Sequence, residues 1–227
     1  MKSYEEKLLK ASISSGALRF GKFKLKSGRD SSYFWNAARM SDGESAYLQG
    51  SAYADKLVEI GVNNFDTIFG PADKGIPIAT LATAALNVNH KINKKYIFDR
   101  KVPKEYGDPI DRFINGRLER GDRIIIIDDV ITTGLTKKKE ASLIDSLNLN
   151  LKVVGILVGL NRKETDEEGN DPIRSLQEEM GIPVHYVLDS QTIFEFLHNK
   201  EFLGMILIDD EKYRAFQDYQ ARYGVKD

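Results

Sequence analysis

Apolar residues recur along this chain at two spacings, and the alternation between them predicts an α/β fold. Leu8, Leu9 and Ile13 lie at helical spacing among polar residues, so residues 3–15 read as an amphipathic helix stopped at Gly16. The next stretch, ALRFGKFKLKSGRDSSYFWNAARM, interleaves Phe20, Phe23 and Leu25 with Lys22, Lys24 and Lys26 before a Ser-Gly-Arg break, the pattern of a hairpin. Glu44–Ile60 has helical spacing and ends at Gly61; Phe65–Phe69 is a short strand; beyond the loop Gly70–Gly75 comes an almost wholly apolar helix, with Pro77 acceptable in its first turn. Tyr96–Arg100 reads as a strand, followed by the charged stretch KVPKEYGDPIDRFING, which Pro103, Gly107 and Pro109 mark as a mobile loop rather than a packed element. Further on, Ser142–Leu149 completes a helix, Lys152–Leu160 is a buried strand, and Thr165–Pro172 is an acidic loop. Ile173–Met180 should be a helix, Val184–Leu188 the last core strand, and Thr192–Leu197 a short helix, with Met205, Ile206, Tyr213 and Phe216 packing a C-terminal helix.

The centre of the pattern is Arg123–Glu140, RIIIIDDVITTGLTKKKE. Ile124–Ile127 has no polar alternation, as expected of a strand covered on both faces in a parallel sheet. Asp128 and Asp129 then fall at its C-terminal end, where open α/β sheets bind ligands. The turn Ile131-Thr132-Thr133-Gly134-Leu135-Thr136 offers hydroxyls, a glycine and backbone N–H groups at a helix start, which together make a phosphate cradle. It is not the nucleotide P-loop, whose G-x-x-x-x-G-K-[ST] spacing is absent. A capped strand-to-helix turn is the plain alternative. Lys137, Lys138 and Lys139 cannot all face one phosphate, because successive helical positions lie about 100° apart; at most one is expected to matter electrostatically, the rest forming a solvated face.

Composition narrows the chemistry. The 227 residues suit one α/β domain over residues 1–227, with 33 basic against 34 acidic residues and a net charge of −1. That balance favours neither a nucleic-acid nor a membrane partner. Cysteine is absent, which excludes disulfides, thiolate catalysis and cysteine-ligated metals. His90, His185 and His198 are scattered without metal-ligand spacing, and no metal ligands are assigned. The first residues are charged and amphipathic, so a cytoplasmic protein is expected.

IIIIDDVITTG resembles the phosphoribosyl pyrophosphate (PRPP) motif of type I phosphoribosyltransferases. The resemblance implies that Asp128 and Asp129 take the ribose hydroxyls and that the loop through Val130, Ile131, Thr132, Thr133, Gly134, Leu135 and Thr136 takes the 5′-phosphate. Leu135 stands where that family usually has a small or hydroxyl residue. It also implies a central parallel sheet flanked by helices.

Three further segments are similar to orotate phosphoribosyltransferases in particular. LKSGRDSSYFWN resembles their hood, a small subdomain to which the N-terminal segment contributes; by that match Lys26 meets PRPP, while Phe34 and Trp35 cover the orotate ring. On periodicity alone the same segment is a two-sided hairpin with a hydrophobic face. FGPADKGIPIAT resembles the pyrophosphate loop, with Lys74 at PRPP and Asp73 in place of the usual aromatic residue. The lid match places Arg100, Lys101 and Lys104 over the pyrophosphate of an adjacent subunit's site, with Tyr106 where histidine is common. In this family the orotate carboxylate is bound in an LDRxE-like segment, here Asn161-Arg162-Lys163-Glu164, so Arg162 becomes the carboxylate anchor; by position alone it is equally a surface arginine paired with Glu164.

The resemblance implies a transferase using orotate and PRPP with Mg²⁺, which would come mainly through PRPP, and a homodimer sharing lid residues across its interface. Thr132 is also expected at orotate, and Lys26, Lys104, Asp128 and Asp129 are the catalytic candidates. A phosphoribosyltransferase for a purine base, a non-catalytic PRPP-sensing regulator and a response-regulator receiver domain are the alternatives weighed. The first should lack the Lys26 hood and the Arg162 anchor, the second should add a basic surface, and the third has no use for a Thr/Gly phosphate loop.

Overall fold

The computed structural model describes residues 1–25, 27–106, 108, 110–131 and 134–226. The expectations for Lys26, Thr132 and Thr133 therefore lie outside the described residues, as does the side chain of Leu135.

A six-stranded sheet in the order β5-β4-β3-β6-β7-β8 forms the body. Its strands are β3 (Thr67–Phe69), β4 (Lys95–Asp99), β5 (Ile114–Gly116), β6 (Arg123–Val130), β7 (Lys152–Asn161) and β8 (Val184–Asp189). All neighbours are parallel except β4 and β5. The sheet is therefore mixed rather than wholly parallel, and β5 comes from the stretch expected to be loop throughout. Ile114 is buried opposite Asp99, and Gly116 lies opposite Ile97, so three residues of that stretch gain a ladder and a core contact the loop would forgo.

Strand β6 shows why four successive isoleucines are tolerated. Ile125 and Ile127 join the core under α1 (Ser3–Ser14), α2 (Gly43–Ile60) and α3 (Gly75–His90), while Ile124 and Ile126 join a second core under α4 (Leu135–Ser146) and α5 (Pro172–Met180). Successive residues of a strand face opposite ways, so a sheet covered on both faces buries both sets.

Separate from this sheet, β1 (Leu18–Lys24) and β2 (Asp30–Trp35) form the expected antiparallel hairpin, with a bulge between Phe20 and Phe23. Tyr33 anchors it edge-on to Phe194 of α6 (Ser190–Leu197) and Phe216 of α7 (Asp210–Tyr223). Met205 and Ile206 do not pack the C-terminal helix: they form β10 (Met205–Ile206), paired with β9 (Glu201–Phe202), and are more than half exposed. Phe216 fills that role as expected, with Tyr213 packed against the same core, and Ile208 and Tyr219 join them. Among the described residues no helix is long and apolar enough to cross a membrane.

Candidate active site

The C-terminal ends of β3, β6 and β7 converge beneath the β1–β2 hairpin. Each ends in a different polar group: the loop before α3 carries Asp73 and Lys74, β6 carries Asp128 and Asp129, and β7 runs into Arg162. A cavity of about 750 Å³ opens between them, lined by Phe34, Trp35, Lys74, Val130, Ile131 and Arg162 among others.

Alternation along β6 sends its two carboxylates to opposite faces. Asp129 follows Ile125 and Ile127 toward α3, where Lys74 Nζ lies 2.7 Å from its Oδ2. Burial pushes the Asp129 carboxyl up from its ordinary value, and Lys74 opposes that shift. Asp128 follows Ile124 and Ile126 toward α4, where it accepts from Lys137 Nζ. Its Oδ1 also accepts the Asp129 backbone N–H at 2.8 Å, and its carbonyl accepts the Tyr53 hydroxyl at 2.7 Å. That hydroxyl needs Gly159 beside it, because a Cβ there would sit 2.5 Å away.

The loop from Gly70 to Gly75 is tightly folded. A Cβ on Gly70 would fall 2.2 Å from the Gly75 carbonyl, so the backbone packs where no side chain fits. Asp99 at the end of β4 accepts the Ala72 N–H at 2.7 Å and so fixes the loop from the neighbouring strand.

Arg162 is the most enclosed cation lining the cavity. Its Nη2 lies 2.8 Å from Glu164 Oε1 and its Nε donates to the same oxygen at 2.9 Å, while the guanidinium rests 4.3 Å from the Tyr33 ring centroid. Nη2 also donates to Ser31 Oγ at 3.2 Å, and Tyr33 OH donates to Glu164 Oε1 at 3.1 Å. Burial opposes the guanidinium charge, but Tyr33 and Glu164 outweigh it and hold the group more firmly protonated than usual. Pairing with Glu164 and facing the cavity are thus not alternatives for Arg162.

Phe34 is half-buried against Phe23, with ring centroids 5.6 Å apart, and Trp35 is buried. The lid candidates stand apart. Lys101 reaches only as far as Asp73, at 2.9 Å, with both side chains well exposed. Lys104 exchanges backbone contacts with Arg112, whose Nε donates to the Lys104 carbonyl, and Arg100 Nε donates to the Asp111 carbonyl. Tyr106 is exposed. The structure brings none of Arg100, Lys101, Lys104 or Tyr106 to the lining of the cavity.

Two site residues escaped sequence reasoning. Lys137 is the one lysine of the three that is buried, donating to Glu140 as well as to Asp128. Three lysines in a row gave no sign of which one turns inward; the only hint was that Lys137 and Glu140 stand one helical turn apart.

Residues 41–191 match the phosphoribosyl transferase domain family. With an acidic pair at the C-terminal edge of an α/β sheet, that match makes this a phosphoribosyltransferase. The orotate phosphoribosyltransferase of Saccharophagus degradans is 36% identical over 226 residues, covering 100% of both chains. That of Agathobacter rectalis is 32% identical over 227 residues, again 100% of both. The solved orotate phosphoribosyltransferase of Francisella tularensis superposes with a TM-score of 0.81 at 27% identity, covering 95% of this chain and 98% of that one. The chain belongs to the orotate phosphoribosyltransferase family.

Proposed function

We propose that this chain transfers the 5-phosphoribosyl group of PRPP to N1 of orotate, giving orotidine 5′-monophosphate and pyrophosphate, a step of pyrimidine synthesis. The observation that carries the choice of base is Arg162: a half-buried, permanently charged fork faces the same cavity as the acidic pair's strand end and the aromatic hairpin. A planar pyrimidine carboxylate suits both its charge and the Phe34 and Trp35 faces.

The reaction breaks the bond from C1′ to the pyrophosphate oxygen and forms one from C1′ to N1, whose proton leaves to the departing pyrophosphate or to water, and positive character builds at C1′ as the first bond breaks. Asp128 and Asp129 would hold the ribose hydroxyls and place carboxylates near that charge. The loop Val130–Thr136 would take the 5′-phosphate on N–H groups at the start of α4. Lys74, with Lys26, Arg100, Lys101 and Lys104, would receive the pyrophosphate, and a lid closing over it would exclude water.

Among the described residues no three carboxylate or histidine side chains gather into a metal cage. A magnesium ion would enter as a companion of the substrate's phosphates, where it would neutralise the leaving group. We further propose a homodimer in which the lid of one protomer serves the site of its partner. Orotate consumption, measured with PRPP present and absent, tests the activity: loss of orotate absorbance only with PRPP is expected, and none in either case overturns it.

A further inference from the structure

Helix α4 carries Lys137, Lys138 and Lys139 in succession, and they have different fates. Lys139 is exposed and Lys138 pairs with Glu179 of α5, but Lys137 is only 2% exposed. Its ammonium donates to Asp128 Oδ2 and to both Glu140 oxygens, at 3.1 and 3.0 Å. Glu140 is itself 6% exposed. Burying two charges is costly, and apolar side chains of similar volume would often serve stability as well or better. What this pair touches is a carboxylate already tied at its other oxygen to the Asp129 backbone N–H.

We infer that Lys137 and Glu140 are a positioning pair for Asp128, setting the orientation and the net charge that this carboxylate presents to the phosphoribosyl donor. The inference rests on the role proposed above for Asp128.

The charges around the pair say how it acts. Burial pushes Glu140 up to about 7 against the pull of Lys137, with Asp128 of β6 and Asp99 of β4 adding repulsion. Burial also opposes the Lys137 charge, but Asp128 and Glu140 outweigh it and keep the ammonium protonated. Near neutrality Glu140 therefore passes between neutral and negative. With Glu140 neutral, the Lys137 charge is committed to Asp128. With Glu140 ionised, that charge is shared, and a negative charge is added beneath a site that receives an anion. PRPP should accordingly bind more tightly when Glu140 is protonated, and its binding should draw a proton onto Glu140.

Calorimetric titration of PRPP into the wild-type protein and Glu140→Gln, at pH 6 and pH 8, tests this. The substrate's own phosphate ionisation is common to both proteins, so their ratio isolates Glu140. The affinities should agree at pH 6, and at pH 8 the wild type should be weaker by about fivefold, which is what one pKa unit of coupling gives one unit above the free carboxyl's value. Lys137→Met should weaken PRPP at both pH values and lower kcat, leaving the orotate KM within about twofold. A merely structural pair would lower the unfolding midpoint of its variants and leave the affinity ratio independent of pH, and parallel pH profiles overturn the inference. If Lys137→Met does not fold, the Glu140→Gln series still decides. Wild-type protein that binds no PRPP at either pH removes the phosphoribosyl reading itself, an outcome distinct from parallel profiles.

Discussion

Asp128 and Asp129 are neighbours in the chain but address opposite faces of the sheet, each met by a lysine from a different helix: Lys137 of α4 and Lys74 at the start of α3. The pair is therefore not one patch of negative charge. Each carboxylate is held, and partly neutralised, from its own side of the sheet.

Asp129→Asn should separate catalysis from folding. It removes a buried charge together with its desolvation cost and leaves Lys74, 43% exposed, to water. Stability should change by no more than about 1–2 kcal/mol while turnover falls. Urea unfolding and kcat on the same preparation check this; a large stability loss would make the residue mainly structural.

Arg162 has two partners to lose. Arg162→Ala should cost about 2–4 kcal/mol of stability, because it removes the near counter-ion of Glu164, 9% exposed, and leaves it the Arg29 guanidinium at 4.0 Å. The double variant Arg162→Ala with Glu164→Gln should recover most of that stability while orotate affinity stays weaker by about 2–3 kcal/mol and PRPP affinity changes little. Recovery of orotate binding in the double variant would assign the carboxylate to another residue.

Glu140 gives the fold a pH signature. Its carboxyl is raised from 4.5 to about 7, so the folded chain keeps a proton that the unfolded chain has released. Stability contributed at this position is present below the ordinary carboxylate range and lost as pH rises through 7, a loss on the order of 3 kcal/mol. Relative to Glu140→Gln, the wild type should thus weaken between pH 5 and pH 8 in urea titrations; a constant difference refutes the shift.

Trp35 buries its indole N–H without a hydrogen-bond partner among the described residues. Trp35→Phe removes that donor at a modest loss of volume and should shift stability by less than about 1.5 kcal/mol, whereas Trp35→Ala should cost about 3–5 kcal/mol. Thermal unfolding of both variants compares the two effects.

The proposed shared lid has a genetic-style test in vitro. Inactive Lys104→Ala and Arg162→Ala proteins are mixed under conditions that exchange subunits. In a mixed dimer both defects can fall in one site, which leaves the other with an intact lid and an intact base anchor. Activity should return, approaching one working site per mixed dimer. Confirmed exchange without activity would confine the lid to its own chain or exclude Lys104 from closing it.

Much of this architecture was legible beforehand because local patterns carry it. Helical spacing in α2 and α3, the isoleucine run of β6 and the glycine-bounded turns depend on near neighbours, and the four motif segments name the residues at each strand end without reference to the fold. β5 was not legible: Ile114–Gly116 sits in a charged, proline-broken stretch, and only the exposed edge of β4 gives those residues a partner. Met205 and Ile206 misled for the converse reason, since two apolar residues signal burial only if some surface is there to cover them.

The sequence by itself determined which chemical groups are available: two carboxylates before a Thr/Gly turn, a lysine in a glycine-bounded loop, an arginine after a buried strand. Tertiary structure decided which of them meet. Asp129 finds Lys74, Asp128 finds Lys137, and Arg162 closes on Glu164 beneath Tyr33, as parallel strands align their ends and alternate their side chains between two covered faces. Periodicity shows which residues turn the same way within one element; the charge that waits on the opposing element is a property of the packing.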